Sequence, residues 1–470
     1  MLLTEQEILV PRPQPGVSLL EQLEQHVTSE IGDRGIPVRV AVTQTDDAGY
    51  HCEVGILSGI PAAQAEGMDS IFSLEKRDYE NQSGFNAMLV IPTGIGAELG
   101  GHSGDGGPVA RLLGQDCDHL ILHPNVVNAA DINEMPDNSL YVEGSVMSRF
   151  LMGTVGLRKV RSNRVLLVVD EHEDPMFHEC AINSVSAARA AMGLDCPLVL
   201  KMEDRVLMRA FYAKSGRAAG RIEYFERLCQ SLEEHRDSFD AVALTSLIQV
   251  PEHYHEEYFT TEMNMVNPWG GVEAMLTHAI SMLYDFPSAH SPMMTSNEVM
   301  NLDVGVVDPR KSAEAVSTTY LQCIFKGLQK SPGIVRRPTL HGSPDLLTVA
   351  DVSCIVIPDG CIGLPTLAAL EQGIPVIAVR ENENCMKNRL EDLPFGANKL
   401  IVVDNYLEAA GVMTALRSGV ALDSVRRPIP NTTVHTEVRR QPDGNLWTDQ
   451  ETVSCEHEQT KPESNRNGAG

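Results

Sequence analysis

AMLVIPTGIGAELGGHSGDGGPVARLLGQDCDHLILHP, residues 87–124, decides the fold class. AMLVIPT (87–93) reads as a buried strand, PVARLLGQ (108–115) as a helix with Pro108 in its first turn, and HLILHP (119–124) as a second strand. Short, wholly apolar strands separated by a helix belong to a parallel sheet covered on both faces. Proline is tolerated in the first turn of a helix, where no amide donor is needed.

Working outward, the alternation repeats. Apolar runs fall at 164–170, 197–202, 241–247, 353–359, 375–380 and 399–404, with helical patterns between them, as in GVEAMLTHAISML (271–283) and YLEAAGVMTALRSG (406–419). The expectation is an α/β protein of two Rossmann-like lobes with mostly parallel sheets, plus a small N-terminal α+β appendage. The appendage spans 1–82, with a helix over 18–31 and strands over 37–44 and 50–57. The first lobe spans 83–245 and the second 246–430. Residues 431–470 are polar and aperiodic, the pattern of a disordered tail.

The chain has 470 residues, 43% of them hydrophobic, and a formal net charge of −27 from 64 acidic and 37 basic side chains. Such a surface repels nucleic acid and anionic membrane, which are excluded as partners. No apolar run reaches the roughly 18 residues of a membrane span. The opening MLLTEQEILVPRPQPG lacks the basic start of a secretory signal. Ten cysteines without a CxxC pair fit reduced thiols in the cytoplasm. Homo-oligomerisation stays open.

The glycine-rich loop leaves a strand end, where open α/β sheets bind ligands. Gly94, Gly96 and Gly100 miss the dinucleotide fingerprint, and His123 and Pro124 stand where its ribose-binding acid is expected. Asp105 likewise breaks a G-x-S-x-G serine elbow. His102, Ser103 and Asp105 are interleaved with glycines. The expectation is a cradle of backbone amides made by Gly94, Gly96, Gly101, Ser103 and Gly104, with His102 and Asp105 as acid–base groups; local capping is the alternative. The second strand end adds His123 as a further catalytic candidate, with Asn125, Asn128 and Glu143 as substrate contacts. Arg161 and Arg164, in LRKVRSNR (157–164), are either an anion clamp or a solvated turn. Asn267, Trp269, Gly270 and Gly271 form a candidate substrate wall, from which Glu273 could reach the same mouth. His278 and His290 read as core residues. In KSGRAAGR (214–221), Ser215 and Arg217 lie near an expected helix N-terminus, an anion site or an ordinary cap. HEDPMFHE (172–179) and HYHEEY (253–258) could supply ligands to a divalent metal, though neither has a strict metal spacing.

Four stretches, IPTGIGAELGGHSGDGGPVARLL, LILHPNVVNAADINEMP, LYVEGSVMSRFLMGTVGLRKVRSNRVLLVVD and GIPVIAVRENEN, resemble a family of cyanobacteria, plants and other bacteria known as domain of unknown function 3326. The resemblance runs from about Phe85 to Pro428 and implies a shared fold and site without a known activity. The unit SCIVIPDGCIGLPTLAALEQGIPVIAVREN (353–382) is also similar to the nucleotide-binding half of two-lobed glycosyltransferases and the related sugar-nucleotide epimerase. That likeness implies a phosphate near Gly360 and Gly363, although Pro365 and Thr366 replace the ribose-binding acid. The expected function is a cytoplasmic enzyme, a transferase or isomerase, acting on a small polar anionic metabolite that is phosphorylated, carboxylated or nucleotide-linked. A metal-dependent hydrolase or lyase using His102 and His123, and a non-catalytic metabolite sensor, are the alternatives.

Overall fold

The quoted segment seeds a six-stranded sheet. In the computed structural model, which describes residues 1–14, 16–260, 265–338 and 345–435, Asn86–Leu89 pairs in parallel with His119–Leu122, and that strand with Ser139–Tyr141. On the other side Asn86–Leu89 pairs with Val352–Pro358, followed by Val376–Val379 and Leu400–Val403. Every pairing is parallel. All residues of Asn86–Leu89, Val352–Pro358 and Val376–Val379 are buried, as a sheet covered on both faces requires. The chain leaves the central pair, 352–358 and 86–89, in opposite directions. That pair is a topological switch point, which opens a crevice beyond the carboxyl ends of the strands.

A ten-stranded sheet joins an antiparallel and a parallel half. The antiparallel half contains Leu2–Val10, Ile36–Asp46, Gly49–Ser58 and the hairpin of Leu207–Tyr212 with Ala218–Glu223. The parallel half contains Arg164–Val169, Asp195–Lys201, Ala241–Gln249 and Ser288–Met293. In a three-stranded antiparallel sheet, Gly333–Arg336 and Leu346–Leu347 flank Val155–Arg158. The fold is α/β with Rossmann-like lobes. The N-terminal segment is strand, helix and hairpin. Its helix Leu19–Ile31 starts at a capping box of Ser18 and Glu21 and buries Leu19, Leu20, Leu23, Val27 and Ile31.

Three expectations change. Each large sheet draws strands from both sides of residue 245, so the lobes interleave in sequence instead of meeting at 245–246. The strand Leu2–Val10 also ties the N-terminal segment to Ala218–Glu223, and residues 1–420 form one compact unit. KSGR (214–217) is the turn of a hairpin, closed by Ala213 N–H donating to Arg217 O at 2.9 Å; the next helix begins only at Phe225. The second unit, 421–470, has the short helix Leu422–Val425. Its residues 431–435 are exposed and without regular structure; the rest of the expected disordered tail lies outside the described residues. No helix among the described residues is long and apolar enough to cross a membrane.

Candidate active site

A cavity of about 130 Å³ lies beyond the carboxyl ends of Asn86–Leu89 and His119–Leu122. The helix Gly270–Tyr284, the strand Ser288–Met293 and residues near 314–324 supply the facing wall. His102, His123, His255, His278, His290, Glu143, Glu273 and Glu314 all line it, with no Lys or Arg among the described lining residues.

Glu143 caps the helix Gly144–Leu151. One carboxylate oxygen accepts from Ser145 N at 2.9 Å, from Val146 N at 3.3 Å and from Ser145 Oγ, and the other contacts His278 Nδ1. Burial alone would raise this carboxyl; the His278 imidazole and the Ser145 donors outweigh it and bring it down to about 2. The contact holds His278 Nδ1 within ion-pair range of the carboxylate, and a carboxylate so placed can orient an imidazole base. His123 Nδ1 accepts from Asn125 N at 3.2 Å. Burial lowers His123 to about 4, against the pull of Glu143 and with the push of His278. It is therefore neutral at neutral pH, and the Asn125 amide places its remaining proton on Nε2, where it can donate to a substrate oxygen. Gly144 lets these two imidazoles meet: a Cβ there would stand 2.9 Å from His278 Cε1 and 3.0 Å from His123 Nε2.

Glu314 behaves differently. Tyr258 hydrogen-bonds it, Asn267 Nδ2 reaches it only at 3.5 Å, and His102 Nδ1 meets the Tyr258 hydroxyl at 3.1 Å. Burial raises the carboxyl to about 8, opposed by Tyr258 and Lys311 and assisted by Glu273 and Asp105. A third couple joins Glu273 Oε1 to His290 Nδ1 at 3.1 Å, with His290 Nε2 2.6 Å from Ser246 Oγ. Ser246 lines a separate void of about 10 Å³.

The glycine-rich loop contributes less to the cavity than its composition suggests. Only Gly94, Gly101 and His102 of its expected residues line it. Asp105 turns inward and accepts from Gly100 N at 2.8 Å; burial, partly offset by these amides, raises it to about 6. Ser103 Oγ donates to Arg310 O at 2.8 Å. Gly96 packs on Val266 and Gly104 on Asn128. A Cβ at Gly101 would lie 1.9 Å from Ala97 O, so close backbone approach requires glycine there. Asn125 Nδ2 braces the loop through Ile91 O and Pro92 O, both at 3.3 Å. Of the loop's polar residues, Asp105 is taken by a local cap and Ser103 by Arg310, while His102 lines the cavity.

Asn125, Asn128, Asn267, Trp269 and Gly270 line the cavity. Asn267 also forms a side-chain turn ahead of the helix Gly270–Tyr284, accepting from Trp269 N at 3.0 Å. Gly271 packs on Ala218 outside it. Arg164 stands at the amino end of its strand, paired with Asp240 at 2.9 Å, and exposed Arg161 precedes it. Ligands of parallel sheets gather at the other end, so neither can clamp an anion in the cavity. Ser215 and Arg217 bind Glu53, and Arg217 also Glu5. Gly363 lines a second cavity, and Gly360 packs against Asn388 O. In HEDPMFHE, His172 bonds Met294 O, Asp174 caps a helix and His178 bonds Asp170 O. Among the described residues no group of three or more His, Cys, Asp or Glu is disposed to hold a metal. Sequence reasoning missed Glu314 and Tyr258 and took His278 for core; His290 is core as read, buried with its ring nitrogens bonded to Glu273 and Ser246, and it also lines the cavity. Helical spacing of Glu273, Thr277 and His278 was the available signal.

The family model described as "Protein of unknown function (DUF3326)" matches residues 86–426. An uncharacterized lipoprotein of Synechococcus sp. is 29% identical over 336 residues, 71% of this chain and 91% of that one.

Proposed function

The chain belongs to the DUF3326 family, and from that premise we propose that it is an acid–base enzyme of the isomerase or lyase type, acting on a small polar metabolite bound in the cavity of about 130 Å³. One observation carries the reading. A carboxyl that stays protonated at neutral pH, Glu314, shares the cavity with an imidazole oriented by an ionised carboxylate, His278 with Glu143. Environments that push two titratable groups apart assign one as acid and the other to the basic side. His278 Nε2 takes the proton, Glu143 orients it, neutral His123 donates to the substrate oxygen, and Glu314 supplies the proton on the far side. No Lys or Arg stands among the described lining residues, which favours a hydroxyl or carbonyl carbon framework at the reacting end of the substrate. Free cysteines, most of them buried, support a cytoplasmic site of action; the lipoprotein name of the Synechococcus relative suggests a membrane-anchored alternative, which cell fractionation distinguishes.

The test begins with thermal-shift screening of a metabolite library, since a ligand bound only to the folded state raises stability. With the compound found, Glu314→Gln and His278→Asn should each lower kcat/KM by about 10²-fold or more, while binding persists. Full turnover in both variants overturns the assignment. Binding without turnover in the wild type identifies a sensor. Loss of turnover on chelation, restored by a divalent metal, identifies the metal-dependent alternative.

A further inference from the structure

A second cavity, of about 120 Å³, stands beside the first. Thr93, His123, Gly144, Ala274 and His278 line both. It sits at the switch point of the six-stranded sheet, between Val90, Pro92 and Thr93 after one central strand and Cys361 and Gly363 after the other. Its chemistry is the opposite of its neighbour's. Val38, Val40, Ile71, Met147, Met282 and Ile362 supply its walls. Three arginines also line it, each paired with a carboxylate. Arg39 meets Glu5, Arg217 meets Glu5 and Glu53, and Arg149 donates to Asp285 and to Ser281 O, both at 2.8 Å.

We propose that this chamber receives an apolar group of the substrate whose polar end reacts in the first cavity, so that the substrate class is amphipathic: a hydroxylated or carbonyl head carrying a branched aliphatic or aromatic tail. The proposal rests on the acid–base reading of the polar cavity. Three observations carry it. The shared wall is the His123–Gly144–His278 junction, so a ligand crossing it passes the reacting groups. At Ala274 that wall has almost no side-chain bulk, and Ala274 is only partly buried. The size also fits, since an apolar cavity of roughly 150 Å³ holds benzene.

Calorimetry with three probes tests this. Glycerol represents the head, toluene the tail, and 3-phenyl-1,2-propanediol both in one molecule. Each methylene moved from water into an apolar site gains about fourfold in affinity. The joined probe should therefore bind wild-type protein at least about thirtyfold more tightly than glycerol, and toluene should compete with it. Ala41→Leu, which fills the chamber from the strand Ile36–Asp46, should remove that gain and leave glycerol binding unchanged. Equal affinity of the joined probe and glycerol in the wild type overturns the proposal, and that comparison needs no variant to fold. Toluene binding without competition also overturns it, because the chambers would then be separate. Arg39 Nε and Arg149 Nε are buried without a hydrogen-bond partner among the described residues. Inorganic phosphate is therefore a fourth probe, and its displacement of toluene would make the chamber an anion site and overturn the proposal. The acid–base reading fails separately, through undiminished turnover in Glu314→Gln.

Discussion

The two rims of the polar cavity carry the same functional group in opposite states. Glu143 is buried, and so is the carboxyl of Glu314, yet one is held down at about 2 and the other is raised to about 8. Burial pushes both upward. The difference lies in what else each oxygen meets. Glu143 heads a helix, where Ser145 N, Val146 N and Ser145 Oγ converge on one oxygen while His278 takes the other. Glu314 has a phenol and a distant amide, with Glu273 nearby. A carboxyl's protonation in a dry site is thus decided by the count and charge of its donors, and helix termini are where backbone donors are free.

The largest effect should come from breaking the ionised rim. Glu143→Leu strips a helix cap and leaves His278 beside an apolar group. Denaturant unfolding should show a loss of about 3–5 kcal/mol, the usual range for removing one partner of a buried pair. A loss under about 1 kcal/mol would mean that the carboxylate is not the anchor described. Gly101→Val should come next, at about 1–3 kcal/mol, because the added Cβ strikes a backbone carbonyl.

The neutral rim is probed by pH. Folded Glu314 is raised from 4.5 to about 8. Its contribution to stability is therefore present below the unfolded value and lost as pH rises through the folded one. Glu143 runs the other way, contributing above 4.5 and losing its contribution as pH falls through about 2. Melting curves of Glu314→Gln from about pH 5 to about pH 9 should fall less steeply with pH than those of the wild type. Parallel curves would show that Glu314 is ionised when folded. Smaller still is Asp105→Asn, which keeps an acceptor for Gly100 N. It should change stability by less than about 1 kcal/mol and leave turnover intact; a large loss of turnover would return Asp105 to the chemistry. Arg161→Ala, remote from both rims, should stay within about 0.5 kcal/mol of wild type and bind the metabolite equally well.

The strands of the six-stranded sheet were readable because their residues are buried on both faces, which writes an unbroken apolar run into the chain. Leu2–Val10 was not. Its burial is irregular, its acids answer Arg39 from another strand and Arg217 and Lys214 from a distant hairpin turn, and locally they look like a solvated terminus. Ser288–Met293 was missed because Ser, His and Pro are poor strand signals. Its partner Ala241–Gln249 and the hydroxyl and imidazole bonds around it hold it in place.

The sequence by itself determined the α/β class and the position of the central strands, and it singled out His102, His123, Glu143, Asn267, Trp269 and Gly270, which line the cavity. Each is announced by local pattern: period, turn chemistry, or a polar cluster at a strand end. Tertiary structure alone decided that Asp105 closes its own loop, that Arg164 points away with Asp240, and that His278, His290 and Glu314 share one cavity. Those outcomes depend on which strand ends become neighbours once sheets interleave across residue 245, and on whether burial or donors win at each carboxyl. Both are sums over residues far apart in the chain, and no local window contains them.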